Sequence, residues 1–465
     1  MPHDEPSGQT RVLALVATLS MITYLDRACF GAAAPLMARE LGLTGVADLK
    51  WAFTAFALAY AVFEIPCGWL GDAFGPRRAL LRIVLWWSVF TALTGLVGLR
   101  VGGVVLGGLT MLVVLRFLFG MGEAGAYPNI TRAIHNWFGV AQRGRAQGVV
   151  WMSGRLMGGL TPLVWAILVA GTALSPPLVS WRGAFLLFGL VGLVWAVGFA
   201  FWFADHPRPS ADTAMSLERP PSHHAAHALP WRAFFTSGNL WMLCLMYFAM
   251  TYGWYFNITY LPAAMRELYA IDDGSLLGAL YKGGPLWVGA AGCLIGGQLT
   301  DRLGARWGDR RKARRRLASS AFVLGAAAFA LCPWATSAPA LFALLSLAAF
   351  CGDLTLAAAW ATCQDIGQRY AATAAAWMNT IGTLGAATAG WAIGAMLESA
   401  LNARAASLGT VVAALPDHER VAAYAQGYSL CFLTFAGAYF VAAICWQFVD
   451  PTRALEADDL QSRQA

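Results

Sequence analysis

The segment RFLFGMGEAGAYPN, Arg116–Asn129, places an arginine, a carboxylate and a tyrosine at the end of a long apolar run. Glu123 follows Arg116 by seven residues and Tyr127 follows Glu123 by four, so one helix would carry all three on one face. A carboxylate in an apolar cavity can carry a proton, and an arginine offers a planar fork to an anion. Charges at membrane depth persist mainly where they face a polar interior. The segment therefore predicts a polar pathway inside an apolar scaffold.

The elements that would position these side chains are membrane-spanning helices. Of 465 residues, 58% are hydrophobic and only 12% are charged, about half the charged share of an average soluble protein. Apolar runs of about 20 residues, the length that crosses a bilayer, recur along the chain. This pattern predicts an all-α polytopic protein embedded in the lipid bilayer. The twelve predicted spans lie near 11–36, 51–71, 79–99, 104–128, 146–170, 183–203, 239–262, 276–299, 317–334, 338–363, 371–397 and 424–448.

The net charge of +7 follows from membrane topology. With both termini cytoplasmic, the cytoplasmic segments hold 21 of the 32 Lys and Arg residues and the opposite side holds 8. The other three, Arg27, Arg116 and Arg155, lie within spans. This asymmetry fits the positive-inside rule, so we expect no nucleic-acid partner. The nine cysteines all fall in predicted spans without a C-x-x-C pair, so neither a disulfide nor a metal site is expected.

Two segments recur at nearly the same offset. Gly68–Arg78, GWLGDAFGPRR, follows span two, and Gly297–Arg306, GQLTDRLGAR, follows span eight 229 residues later. Gln142-Arg143 with Trp151-Met152 recurs 226 residues later in Gln368–Met378. Such recurrence predicts six spans duplicated in the same orientation, an arrangement typical of transporters with a site between the halves.

The composition changes between the two sets of six spans. Residues 205–235 are rich in proline and histidine and lack an apolar period, so they predict a cytoplasmic linker. The halves would then be two six-helix bundles, residues 1–204 and 236–465. His223, His224 and His227 in this linker have no neighbouring cysteine or carboxylate, which favours a solvated loop over a metal site.

The duplicated glycine–aspartate motif predicts a cytoplasmic latch. Its glycines would let helices approach closely, and its aspartate could accept from basic residues or from the N-terminus of a neighbouring helix. Asp72 would then meet the start of span eleven near Ala371, and Asp301 the start of span five near Arg145. The alternative is a charged loop that only sets topology. The predicted gating residues are Asp72, Arg77, Arg78, Asp301, Arg302 and Arg145.

This motif resembles the signature loop of the major facilitator superfamily. Four further segments narrow the resemblance to its anion:cation symporter family, which includes proton-coupled hexuronate and galactonate importers and vesicular organic-anion carriers. These segments are Tyr24–Arg27 in span one, Gly122–Pro128 in span four, Tyr252–Tyr255 in span seven and Trp377–Gly382 in span eleven.

The resemblance implies roles for individual positions. Asp26 and Glu123 match the proton-titrating carboxylates of the family, and Arg27 and Arg116 match its cavity arginines, with Arg27 expected to engage a substrate carboxylate. The matched substrate contacts are Tyr60 in span two and Asn379 in span eleven. The alternative for the charged pairs is that they are static ion pairs that hold helices together.

Other intramembrane residues keep more than one interpretation. Arg155 could bind a second acidic group or pair with Asp353 between the halves. Glu64, two turns before Asp72, is predicted to extend the cytoplasmic charge network. Tyr127 is expected at the substrate site. Tyr252 and Trp254 could line the cavity or only pack at the membrane interface.

These features predict a monomeric secondary transporter that co-transports a small organic anion with protons and needs no cofactor. The alternatives are an exporter, a sodium-coupled carrier or a non-transporting nutrient sensor. An ATP-driven pump is excluded within this chain because none of its three lysines, Lys50, Lys282 and Lys312, is followed by Ser or Thr as a P-loop requires. No nucleophile–base constellation indicates an enzyme.

Overall fold

The computed structural model describes residues 5–43, 49–101, 104–171, 176–207, 229–271 and 276–455, and these form a helical protein with one short hairpin. The predicted all-α polytopic fold is confirmed. The helices are α1 (Glu5–Glu40), α2 (Lys50–Phe74), α3 (Pro76–Thr94), α4 (Leu109–Glu123), α5 (Ala126–Trp137), α6 (Arg143–Trp165), α7 (Trp181–Trp202), α8 (Trp231–Thr236), α9 (Gly238–Trp254), α10 (Phe256–Thr259), α11 (Leu261–Tyr269), α12 (Leu276–Trp307), α13 (Arg310–Leu331), α14 (Ala338–Gly367), α15 (Ala371–Ser407) and α16 (Asp417–Phe448).

Eight helical segments among the described residues are long and apolar enough to cross a membrane, and one of them, Ala338–Ser407, contains both α14 and α15. The other three predicted spans correspond to α3, α9 and α12. Two of these differ from the other spans, one in charge and one in length. Three arginines lie in the first two turns of α3, and α9 has only 17 residues.

Span four differs from the single helix predicted over 104–128. An antiparallel hairpin, β1 (Leu99–Val101) and β2 (Val104–Leu106), precedes it, so α4 begins only at Leu109. The helix then breaks after Glu123 and resumes at Ala126. Pro128 explains the break, because proline has no N–H for the carbonyl four residues earlier and its ring clashes with that carbonyl. Span seven is likewise divided, into α9, α10 and α11.

The chain forms two compact units. Unit 1 comprises Met1–Thr236, Cys363–Thr380 and Ala454–Ala465, and unit 2 comprises Ser237–Thr362 and Ile381–Arg453. In unit 1, α1 packs on α6, α2 on α4 and α3 on α7, around an apolar core that includes Phe30, Trp165 and Phe185. In unit 2, α16 packs on α9 and α13.

The predicted linker is described only at its ends, since residues 208–228, with the three histidines, lie outside the described residues. Its last residues belong to α8, which packs within unit 1 on Trp377, with ring centroids of Phe234 and Phe235 at 5.5 and 5.0 Å. The first turns of α15 are thereby covered by an aromatic cluster.

Candidate functional site

A cluster of charged and aromatic side chains lies inside unit 1, on α1, α2, α4, α6 and the first turns of α15. Its centre is an ion pair in which Arg27 Nε donates to Glu123 Oε1 at 2.8 Å. The Glu123 side chain has no exposed surface, whereas that of Arg27 is 30% exposed. Arg27 Nη2 and Glu123 Oε2 have no hydrogen-bond partner among the described residues. One hydrogen bond therefore holds the pair, and Arg27 Nη2 could bind a second acidic ligand.

Aromatic rings hold the Arg27 side chain in place. Its guanidinium carbon lies 4.6 Å from the ring centroid of Tyr60 and 5.8 Å from that of Phe56, both on α2. Cation–π contacts of this kind stabilise an arginine by about 0.5–2 kcal/mol without consuming its N–H donors. Tyr60, predicted as a substrate contact, thus lies next to the arginine predicted to bind the substrate carboxylate.

Asp26 is buried at 3% exposure, beside Arg27 in the chain. Neither of its carboxylate oxygens has a hydrogen-bond partner among the described residues. Most buried carboxylates in proteins are paired or hydrogen-bonded. This side chain is therefore a candidate for a functional role.

Arg116 is buried and makes no ion pair with Glu123, so the alternative of a static Arg116–Glu123 pair does not hold in this structure. Its guanidinium carbon lies 4.1, 4.9 and 4.5 Å from the ring centroids of Phe30, Phe56 and Phe119. No ion pair of Arg116 occurs within the described part of the chain. Two helical turns, roughly 10 Å, separate Arg116 from Glu123 along α4, so an arginine from α1 takes the carboxylate instead.

Tyr127 and Arg155 meet at a second aromatic group. The Tyr127 ring stacks on Trp151, with centroids 4.3 Å apart and planes 7° from parallel, and its hydroxyl lies 2.9 Å from Ser20 Oγ. Arg155 donates to the hydroxyl of Tyr24, and its guanidinium carbon lies 5.5 Å from the Trp151 ring. Both predicted site residues therefore lie in unit 1, joined through Trp151.

Glu64 is buried inside unit 1, where its contacts are with α15. It is completely buried, and its two carboxylate oxygens accept from Asn379 Nδ2 at 2.5 Å and from Thr380 Oγ1 at 3.3 Å. Neither partner is charged, so the predicted extension of a cytoplasmic charge network stays a prediction. The spacing of four residues between Tyr60 and Glu64 could have indicated that Glu64 faces the interior as Tyr60 does, because residues at i and i+4 share a helix face.

Asp72 makes the contact with span eleven that the repeated motif predicts. Its carboxylate accepts from the backbone N–H groups of Ala372 and Thr373 at 3.1 and 2.7 Å and from Thr373 Oγ1 at 2.7 Å. Arg132 Nη1 lies 3.6 Å away. A carboxylate at a helix N-terminus satisfies unpaired N–H groups and complements the helix dipole.

The motif glycines have distinct mechanical roles. A Cβ on Gly68 would lie 2.8 Å from Ala376 Cβ and 2.9 Å from the Ala372 carbonyl oxygen, so only glycine permits this close approach of α2 and α15. Gly75 ends α2 with φ of +88°, a conformation that glycine adopts without penalty. It allows Asp205 Oδ1 to accept from the Arg77 N–H at 2.7 Å.

The other predicted gating residues differ in their exposure. Arg77 Nη2 donates to the Ala200 carbonyl at 2.5 Å, which anchors it to the end of α7. Asp301 is half-buried on α12, whereas the side chains of Arg78, Arg145 and Arg302 are exposed.

Arg143 is a buried basic residue that the sequence analysis did not single out for gating. Its Nη1 donates to Asp365 Oδ1 at 2.6 Å, and both residues belong to unit 1. The recurrence of Gln142-Arg143 as Gln368-Arg369 is the sequence feature that could have indicated a role for Arg143.

In unit 2 the two predicted aromatic residues make polar contacts. The Tyr252 hydroxyl lies 3.2 Å from Thr434 Oγ1. Trp254 Nε1 donates to Asp353 Oδ2 at 3.4 Å, and Asp353 has no exposed surface. No group of three potential metal ligands occurs among the described residues.

The sequence matches the Major Facilitator Superfamily over residues 16–390, so the chain belongs to this superfamily of membrane transporters. It is 36% identical to the "Probable sulfoacetate transporter SauU" of Cupriavidus necator over 79% of this chain and 83% of that protein. It is 27% identical to the "Probable L-galactonate transporter" of Escherichia coli, covering 76% and 75%. It is also 27% identical to the "Hexuronate transporter" of Bacillus subtilis, covering 82% and 87%.

Solved structures agree on the fold. The proton:xylose symporter XylE is similar with a TM-score of 0.72 at 14% identity, over 97% of this chain and 99% of that one. A bacterial homologue of the human lysosomal transporter Spinster is similar with a TM-score of 0.62 at 18% identity, over 95% and 98%. The protein is therefore a multi-pass membrane transporter, and the prediction that it is not an enzyme is confirmed.

Proposed function

We propose that the protein is a proton-coupled symporter that imports a small organic anion, a sugar acid or another carboxylate, across the bacterial inner membrane. The Arg27–Glu123 pair is the observation that carries this proposal. It joins a permanently charged anion-binding group to a carboxylate that a single proton neutralises. The relatives support the anion class, since sulfoacetate, galactonate and hexuronates all bear a carboxylate.

Protonation of Glu123 is the proposed trigger for substrate binding. A neutral Glu123 no longer attracts Arg27, whose guanidinium then offers its planar fork to the substrate carboxylate. The contact with Tyr60 keeps the guanidinium in place during this exchange. After release of the substrate and the proton, Glu123 takes Arg27 back and the site resets.

Asp26 is the proposed carrier of a second proton. A buried carboxyl group without hydrogen bonds is far cheaper to bury neutral than charged. Asp26 adjoins Arg27, so its charge acts on the same guanidinium. Arg116, enclosed by three phenylalanine rings, serves as a fixed positive charge near both carboxylates and is not proposed to bind substrate.

Two protons have an energetic justification. A monoanion that enters a negative-inside cell moves against about 2.3 kcal/mol per 100 mV of membrane potential. Entry of the monoanion with one proton moves no net charge, so the membrane potential does not oppose it. Entry with two protons moves one positive charge inward, so the potential drives it. Asp26 and Glu123 together supply this number of titratable groups.

Alternating access would follow from the repeat. We propose that the bundles 1–204 and 236–465, joined by the linker 205–235, rock about a site at mid-membrane, with both termini cytoplasmic. The contacts of Asp72 with Ala372 and Thr373 close the cytoplasmic side and break when it opens.

Uptake into proteoliposomes tests the proposal. We expect an inwardly directed proton gradient to drive accumulation of radiolabelled sulfoacetate or L-galactonate, and a proton ionophore to abolish it. An equal sodium gradient without a pH gradient serves as the control and should drive none. Accumulation that follows sodium, or that is indifferent to both gradients, would overturn proton coupling.

A further inference from the structure

Glu64 is a fully buried carboxylate for which the transport cycle above has no role. Both of its oxygens accept hydrogen bonds, from Asn379 Nδ2 and Thr380 Oγ1, so two donors on α15 hold this side chain. Its partners lie on the part of α15 that belongs to unit 1, so these contacts are internal to one compact unit.

Glu64 occupies one end of a continuous line of contacts between α2 and α15. Glu64, Gly68 and Asp72 follow at intervals of four and share one face of α2. On α15 the contacted residues run in the opposite order, from Asn379 and Thr380 through Ala376 to Ala372 and Thr373. We call this set of residues the α2–α15 seam.

The seam has a polar contact at each end and a close apolar contact between them. The two carboxylates are eight residues apart, roughly 12 Å along the helix. Gly68 lies between them and allows the backbones to touch. Because close-packed interiors have low compressibility and transmit strain, we expect loosening of one end of the seam to affect the other.

The Glu64 carboxylate also competes with substrate for the same donors. Asn379 is a predicted substrate contact, and an amide N–H and a hydroxyl are donors that an incoming carboxylate or sugar hydroxyl would use. The contacts with Glu64 occupy the Thr380 hydroxyl and one of the two N–H groups of Asn379 Nδ2, so a substrate anion would have to compete with Glu64 for them.

We propose that Glu64 is a positioning residue that links occupancy of the substrate site to the cytoplasmic latch at Asp72. When the site is empty, Glu64 holds Asn379 and Thr380 and keeps the seam closed. A bound anion takes over these donors, which frees the seam at Glu64 and weakens it at Asp72. Only the identity of the competing anion rests on the function proposed above.

Amide hydrogen exchange of the full-length protein in nanodiscs, followed by mass spectrometry, tests the link. The N–H groups of Ala372 and Thr373 lie in the first turn of α15 and donate to Asp72, so their exchange reports directly on the latch. We expect Glu64→Gln, in the absence of any anion, to accelerate their exchange about three- to tenfold. Asp72→Asn should accelerate it directly, and Glu398→Gln, an exposed position on the same helix, should leave it unchanged.

A binding measurement separates this role from a purely structural one. We expect Glu64→Gln to bind sulfoacetate or L-galactonate about three- to tenfold more tightly, because the variant has one acceptor oxygen fewer to compete for Asn379 and Thr380. Addition of the anion should accelerate exchange at Ala372 and Thr373 in the wild type and have less effect in the variant. A folded Glu64→Gln protein with wild-type exchange and wild-type affinity would overturn the proposal.

Two further variants keep the test decisive if Glu64→Gln does not fold. Thr380→Val and Asn379→Ala remove the donors from the opposite side and should also accelerate exchange at Ala372 and Thr373; wild-type exchange in both would overturn the link. If the wild type binds neither anion, the proposed substrate class fails, while the exchange measurements without ligand still decide the role of Glu64.

Discussion

The two units share a repeated pattern of six spans but differ in their buried charge. Among the described residues, unit 1 buries Asp26, Glu64, Arg116, Glu123, Arg143, Arg155 and Asp365, whereas unit 2 buries only Arg314 and Asp353. The contrast is sharpest between spans one and seven, because span one carries Asp26 and Arg27 whereas Gly238–Trp254, the main helix of span seven, carries no charged residue.

This difference separates what the repeat supplies from what one copy adds. The repeat supplies helices, their order and the glycine motif, all of which depend on apolar packing. Ionic groups inside a membrane are costly, so a protein keeps them where they are used. Under the proposed function we expect proton coupling to depend on unit 1 and unit 2 to contribute mainly packing and neutral contacts, which the following variants test.

The largest effect is expected for Glu123→Gln. A gradient of two pH units supplies about 2.7 kcal/mol per proton, enough for roughly 100-fold accumulation. This variant loses the carboxylate whose protonation releases Arg27 and keeps Asp26 as the other titratable group, so accumulation should fall sharply while exchange of labelled for unlabelled anion continues. Uptake into proteoliposomes measures both activities.

Asp353→Asn is the matched control in unit 2 and should still accumulate the anion. Wild-type accumulation by Glu123→Gln, or equal losses in the two variants, would contradict the assignment of coupling to unit 1.

Arg27→Lys should have the next largest effect. Lysine keeps the charge but not the planar fork, so the loss of a charge-assisted hydrogen bond should cost about 1.5–3 kcal/mol, or roughly 10- to 150-fold in Kd for the anion. Isothermal titration of the purified protein measures it. Arg116→Lys is the comparison, with an expected smaller change in Kd because Arg116 faces three phenylalanine rings. If Arg116→Lys raises Kd more than Arg27→Lys does, Arg116 is the anion-binding residue.

Asp72→Asn should have an intermediate effect on stability. It removes a charge from the N-terminus of α15 and weakens three hydrogen bonds, so we expect a loss of about 1–2 kcal/mol of latch stability. The midpoint of thermal unfolding in detergent should fall, and Glu398→Gln should leave it unchanged. An unchanged midpoint for Asp72→Asn would favour the alternative that the motif only sets topology.

Trp254→Phe should have the smallest effect. The 3.4 Å contact with Asp353 is long, and its loss should cost about 1 kcal/mol of stability. Proton-driven accumulation should remain within a factor of two to three of the wild type. A complete loss of coupling in this variant would place an essential ionisable group in unit 2 and remove the contrast between the units.

Some features were predictable because local sequence decides them. The predicted spans needed only apolar runs of bilayer length, because backbone groups in lipid must be satisfied within the helix. The contact of Asp72 with the start of α15 was predictable from the repeated motif, because its glycines allow helices to approach closely and its aspartate can accept from a helix N-terminus. The break in the helix after Glu123 was predictable from Pro128, five residues later.

Other features depended on which helices face each other. Arg116 and Glu123 are close in sequence, but Arg27 from another helix reaches the carboxylate first. Arg143 and Arg145 are both basic and two residues apart, and only helix rotation decides that Arg143 is buried against Asp365 while Arg145 is exposed. Spacing along one helix does not contain this information.

The class of the protein, its helical spans, the repeat and most of the charged residues at the site follow from the amino-acid sequence. Hydrophobicity and periodicity are local properties, and a membrane restricts the structures that can satisfy them. The partners of these residues are visible only in the folded protein: Arg27 with Glu123, Arg116 with three phenylalanine rings, and Glu64 with Asn379. Pairing depends on distances of a few ångströms between helices, and these are set by the packing of the whole unit.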